Sequence, residues 1–104
     1  MLLPDRNLKR TLWLYLGGTR GGAARLRILL LLRQGPRNTN QVARALGMDY
    51  TTVMYHLRIL EKTGLAVTGE KGYGSRYTLA PLLAQTPSLL ETAILEKGFK
   101  SRSK

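Results

Sequence analysis

The sequence predicts a mainly α-helical (α+β) fold, and three observations carry that reading. Apolar residues recur at helical spacing in successive stretches, glycines punctuate those stretches, and one alternating segment doubles back around EKGYG (70–74). At 104 residues with 43% hydrophobic content, the chain has the material for one domain with a buried core.

Leu8, Leu12, Tyr15 and Leu16 predict a short amphipathic helix over residues 5–16, followed by GGTRGG (17–22) as a flexible or tightly turned connection. ARLRILLLLRQG (24–35) predicts a helix stopped by Gly35 and Pro36. Leu26 and Ile28 to Leu32 spread over more than one stripe of it, so it needs cover on two faces, from its own domain or from a second subunit. After the polar segment RNTN (37–40), QVARALG (41–47) reads as a helix capped by Asn40, with Val42, Ala43 and Leu46 inward and Gly47 closing it. Asp49 caps a second helix from Tyr50 to Lys62, which Gly64 terminates.

Residues 65–68 alternate as a strand, EKGYG forms a turn-rich tip, and Ser75 to Leu79 returns with Tyr77 and Leu79 inward. A C-terminal helix is expected with Thr86 as N-cap, Pro87 at its first position, Leu90, Ala93 and Ile94 on its apolar face and Gly98 at its end. KSRSK (100–104) reads as a disordered basic tail. The expected organisation is a single domain over 1–104: an N-terminal helix and connection (1–21), a core (22–80), a dimerisation helix (81–98) and the tail (99–104).

Composition narrows the function. Seventeen Lys and Arg against six Asp and Glu give a net charge of +11, spread over every part of the chain rather than confined to a tail. A small domain this basic points to a phosphate-rich partner. Cysteine is absent and there is one histidine, which leaves no thiolate nucleophile, no disulfide and little for a metal site or an acid–base pair. No cofactor, metal or enzymatic activity is therefore expected. The longest apolar run, Ile28 to Leu32, is too short for a membrane span, and Pro4, Asp5 and Arg6 interrupt any signal-peptide pattern. The expectation is a cytoplasmic protein with no membrane partner.

The order helix, short strand, helix, glycine turn, helix, hairpin predicts a winged helix-turn-helix with a two-stranded hairpin wing and extra terminal helices. Ala43, Gly47 and Val53 have the spacing such a motif requires: a small residue for close approach, a glycine for the left-handed turn, and a β-branched residue to pack the second helix. On a helical wheel of 50–62, Val53, Leu57 and Leu60 face the core. The opposite stripe holds Thr51, Tyr55, Arg58 and Lys62, flanked by Thr52 and Met54. A plain solvated face would explain the charges, but an aromatic ring in the middle of an exposed stripe calls for a surface to cover.

Tyr50, Thr51, Thr52, Met54, Tyr55 and Arg58 are thus candidates for reading base edges in a major groove. Asn38, Thr39 and Gln41 open the preceding helix, and Lys62, Lys71, Tyr73 and Arg76 lie where backbone or minor-groove contacts are expected. His56 sits beside the core direction with no second ligand near it, so a packed histidine is expected rather than a metal ligand.

The run from Asn38 to Leu79 resembles the winged helix domain of arsenical-resistance-repressor (ArsR) type regulators. The residues that carry the likeness are ARLRILLLL before it, the ALG turn, T-V-x-x-H-L on the second helix and LEKTGL leading into the wing. GTRGG, N-x-N-Q-x-A and D-Y-T-T-V are similar to a small archaeal branch. The resemblance spans about residues 12 to 80. It implies a homodimeric regulator of transcription, with terminal helices forming the dimer contact. Metal-sensing members use cysteines or paired histidines and carboxylates; this sequence has no cysteine and one histidine, so a metal switch does not carry over. The expected function is a sequence-specific, double-stranded DNA-binding homodimeric regulator, a repressor that does not respond to metal. The alternative is an architectural, chromatin-type protein that coats DNA with little sequence preference.

Overall fold

The computed structural model describes residues 15–16, 21–69, 74–86 and 88–91. The elements are α1 (Gly22–Leu32), β1 (Arg37–Asn38), α2 (Thr39–Leu46), α3 (Tyr50–Lys62), β2 (Ala66–Thr68), β3 (Arg76–Leu79) and α4 (Pro81–Ala84). Most of the predicted N-terminal helix, the wing tip at 70–73, the later part of the C-terminal helix and the basic tail lie outside the described residues.

Helix α1 runs through the middle of the core. Leu26, Ile28, Leu29 and Leu32 are buried, and Leu30 and Leu31 pack half-buried against the same cluster. The domain thus supplies much of the two-faced cover that the leucine-rich segment requires. Val42, Ala43, Val53, Leu57 and Leu60 join it from α2 and α3, and Leu65, Ala66, Leu79 and Leu83 close it beneath the sheet.

Helices α2 and α3 end by the same device. The Met48 N–H donates to the Ala43 carbonyl at 2.9 Å, and the Leu65 N–H donates to the Leu60 carbonyl at 2.8 Å. Each bond spans a glycine in the left-handed region, Gly47 at φ 66° and Gly64 at φ 83°, where a side chain would be strained. These closures set the angle at which α3 leaves α2 and the direction in which the chain enters the wing.

The sheet has three strands, in the order β1-β3-β2, all antiparallel, rather than the two of a lone hairpin. Ala66 pairs with Leu79 and Thr68 with Tyr77 in the hairpin, while Arg37 and Asn38 pair with Tyr77 and Arg76 on the other side of β3. β1 is the short strand expected between the first two core helices, and it adds a third strand to the hairpin.

One capping expectation is corrected. Helix α2 begins earlier than predicted, with Asn38 and not Asn40 as its N-cap. The Gln41 N–H donates to Asn38 Oδ1 and the Asn38 N–H donates to Gln41 Oε1, both at 2.8 Å, so the pair satisfies two otherwise free donors. Asn38→Ala is expected to cost about 1 kcal/mol of stability, whereas Asn40→Ala should cost little; urea unfolding midpoints of the two variants check this. Helix α4 has Pro81 in its first turn, and at its far end the Thr86 hydroxyl donates back to the Leu82 carbonyl at 3.0 Å.

Candidate nucleic-acid interface

Asp49 starts α3 by accepting from the Thr52 N–H at 3.1 Å, as its position in the sequence predicts. With that start fixed, the helix divides into two faces. Val53, His56, Leu57 and Leu60 are buried. Thr51, Thr52, Tyr55, Arg58 and Lys62 are exposed, and Tyr50 and Met54 are half-buried at the margin. Tyr55 is 60% exposed, the highest among the large hydrophobic side chains that stand out from the described surface. Arg58 and Lys62 project with no carboxylate paired to either among the described residues.

The wing base and the opening of α2 meet this face. Asn38, Thr39, Asn40, Tyr50 and Gly74 line one shallow recess, which joins the first residues of α2 and α3 to the end of the wing. Arg76 is exposed beside it, and the β1 pairing holds it opposite Asn38. The structure thus brings together Asn38, Tyr50 and Arg76 from three places in the sequence. Two roles are narrowed. Thr39 is largely buried at 9% exposure, so it offers the recess only a small surface. Asn38 and Gln41 spend side-chain hydrogen-bonding capacity on each other as a cap. Lys71 and Tyr73 lie outside the described residues.

Behind α3 is an arrangement that periodicity does not reveal. Arg25 of α1 is buried at 3% exposure, and its Nη1 lies 3.0 Å from Nδ1 of His56, itself 6% exposed. Arg25 Nε also donates to the Tyr15 carbonyl at 2.9 Å. A guanidinium has only donors, so Nδ1 accepts and the neutral ring carries its proton on Nε2. Burial lowers both pKa values from their ordinary ranges, and the Arg25 charge lowers that of His56 further. Arginine nonetheless stays charged, because its ordinary value lies far above neutrality. The packed-histidine expectation for His56 is met. The available clue to its partner was the arginine embedded in an apolar helix, which has to find an acceptor.

Among the described residues no three His, Cys, Asp or Glu side chains cluster. His56 Nδ1 faces a guanidinium, Asp49 caps α3, and Glu91 pairs with Arg33 at 3.6 Å. No helix among the described residues is long and apolar enough to cross a membrane.

Comparison with known proteins agrees with this geometry. Residues 23–67 match the family model described as bacterial regulatory protein, arsR family. The HTH-type transcriptional regulator NmtR of Mycobacterium tuberculosis is 39% identical over 56 residues, which cover 54% of this chain and 47% of that protein. The match therefore spans about half the length of that curated relative. The solved homodimeric winged helix-turn-helix DNA-binding domain (fragment 1–100) Mb0332 of Mycobacterium bovis, a possible ArsR-family regulator, superposes with a TM-score of 0.64 at 24% identity, covering 95% of this chain and 92% of that one. The cadmium metal-sensor CMTR of M. tuberculosis superposes with a TM-score of 0.55 at 31% identity, over 80% of this chain and 79% of that one. These three relatives are mycobacterial and leave the narrower archaeal likeness unaddressed.

Proposed function

This chain belongs to the arsR family of bacterial regulatory proteins, and we propose that within it the protein is a sequence-specific repressor that binds duplex DNA as a homodimer. One observation carries the reading: the outward stripe of α3, with Tyr55 at 60% exposure flanked by Thr51, Thr52 and Arg58. Hydroxyls, a phenol and a guanidinium match the donors, acceptors and thymine methyls that line a major groove wide enough to admit a helix. Arg76 at the wing base and Lys62 at the end of α3 supply charge for the phosphate strands, with Lys71 and Tyr73 proposed for the wing tip. The M. bovis relative is homodimeric, and two copies of this domain would address half-sites about one helical turn apart. Residues 22–80 then form the reading unit, with the flanking segments serving the dimer, at work on DNA in the cytoplasm.

The signal that relieves repression is proposed to be something other than a metal ion. One relative is a cadmium sensor, but the chain has no cysteine, and its single histidine is turned toward Arg25. Selection of bound sequences from a random DNA pool tests the main reading. A palindromic consensus is expected, reporting sequence preference and two-fold symmetry together. Retention of DNA without any consensus would replace it with the architectural reading, which the charge of +11 across the whole chain favours.

A further inference from the structure

Arg25 joins three parts of the protein. Its backbone belongs to α1, its Nε holds the Tyr15 carbonyl of the N-terminal segment at 2.9 Å, and its Nη1 holds His56 of α3 at 3.0 Å. The fit around it is close. A Cβ on Gly21 would lie 2.9 Å from His56 Cε1 and 3.3 Å from Arg25 Nη1, so only glycine lets the chain pass over this pair. The ring of Tyr55 stands edge-on to that of His56, with centroids 5.3 Å apart. His56 therefore touches the scaffold on one side and, through its neighbour, the exposed stripe on the other.

We propose that the Arg25–His56 bond is a clamp that positions α3 for DNA, and that protonation of His56 releases it, making DNA binding acid-sensitive. This rests on the DNA-binding reading above. His56 acts as a positioning residue, since it is buried beneath the stripe and does not itself meet DNA.

The chemistry follows from the direction of the bond. The neutral ring already carries its proton on Nε2, so an added proton must take the Nδ1 lone pair that accepts from Arg25. The bond is then lost, and two cations face each other at 3.0 Å in a buried place. Among the described residues, Arg25 from α1 faces the ring, Tyr55 of α3 stands edge-on to it, and Tyr15 of the N-terminal segment lies against Arg25. The charged group that acts on the ring is thus a cation of the same sign as the imidazolium. Moving Arg25 and His56 apart relieves that repulsion, and with it the hold of α1 on α3.

The same linkage acts on the fold. In the unfolded chain the histidine takes up its proton near the ordinary 6.5. In the folded chain it does so only at lower pH, first because of burial and then because of Arg25. The contribution to stability is therefore complete above about pH 6.5 and is lost as pH falls from there through the lowered folded value. His56 is the chain's only histidine and cysteine is absent, so no other side chain has an ordinary pKa in the range from 5.5 to 7.5.

The test measures binding of the full chain to one labelled duplex at fixed salt and at pH 7.5, 6.5 and 5.5, beside the His56→Asn variant. Asparagine keeps an oxygen acceptor for Arg25 and takes up no proton. The parent is expected to lose affinity as pH falls, by up to about tenfold at pH 5.5, since a ring that titrates below 6.5 is at most about nine-tenths protonated there. The variant's profile should be flat. A flat parent profile, or an equal fall in both proteins, overturns the proposal. NMR of the parent without DNA gives an answer that needs no variant. The His56 ring should titrate below 6.5 with the Gly21 amide moving at the same midpoint, and a ring titrating at or above 6.5 overturns the clamp. If no duplex binds at pH 7.5, the DNA-binding reading is what has failed, and the proposal that depends on it falls too. The NMR midpoint then still tells whether the bond itself is acid-labile.

Discussion

Gly22→Ala is expected to be the most damaging single-methyl change in the described core. Gly22 is buried at the first position of α1, and a Cβ there meets the backbone carbonyl of Leu16, itself 4% exposed. A backbone atom cannot swing aside as a side-chain tip does, so the segment that carries Leu16 has to shift. Overpacking of this kind costs about 3 kcal/mol, against about 1 kcal/mol recovered by removing a helical glycine. The net loss of roughly 2 kcal/mol corresponds to a fall of about 10 °C in Tm for a domain of this size. Gly69→Ala is the control, because a Cβ there meets nothing within 4 Å. It should stay within about 0.5 kcal/mol of the parent. Equal melting temperatures for the Gly22 variant and the parent would show that Leu16 does not pack against α1 as described.

The second large effect is on recognition. Arg58→Ala should weaken binding to the selected sequence by about 1–3 kcal/mol, a loss of roughly 5- to 150-fold, while random DNA is bound nearly as before. Lys62→Ala should behave differently. It lies on the same exposed stripe one turn later, where a phosphate contact lowers binding to all duplexes alike and reduces the salt slope by about one. Titrations of both variants against selected and random duplexes at several salt concentrations separate the two patterns. Two variants that bind like the parent would remove α3 from the interface.

Much of this site is legible in the sequence because short-range chemistry specifies it. Asp49, Gly47 and Gly64 act within a few residues of themselves, so the bounds of α3 and its buried set of Val53, Leu57 and Leu60 follow from spacing. The Asn38–Gln41 cap was legible in principle as well. An acceptor followed three residues later by glutamine is a capping box, whereas Asn40 has Ala43 at that distance. The remainder depends on partners far along the chain. The strand Arg37–Asn38 exists only because β3 returns beside it about 40 residues later. Arg25 reads as a polar interruption of a leucine run until His56, 31 residues on, is known to be its acceptor. GGTRGG reads as a flexible or tightly turned connection, and its last two glycines are required by close contact with His56, Arg25 and Leu16. Pattern gives the elements, and only the packed chain shows which polar groups meet between them.

The paired closures at Gly47 and Gly64 have a consequence for how such a protein changes its target. They isolate residues 49–63 as a cassette with a fixed entry and a fixed exit. Within the cassette the residues that hold the fold, Val53, His56, Leu57 and Leu60, share no position with Thr51, Thr52, Tyr55 and Arg58. Thr51, Thr52 and Arg58 can drift, or be randomised in a library, with little effect on the first set, whereas Tyr55 stands against His56 and ties the two together. A lineage or an engineer can thus rewrite the address while leaving the envelope intact.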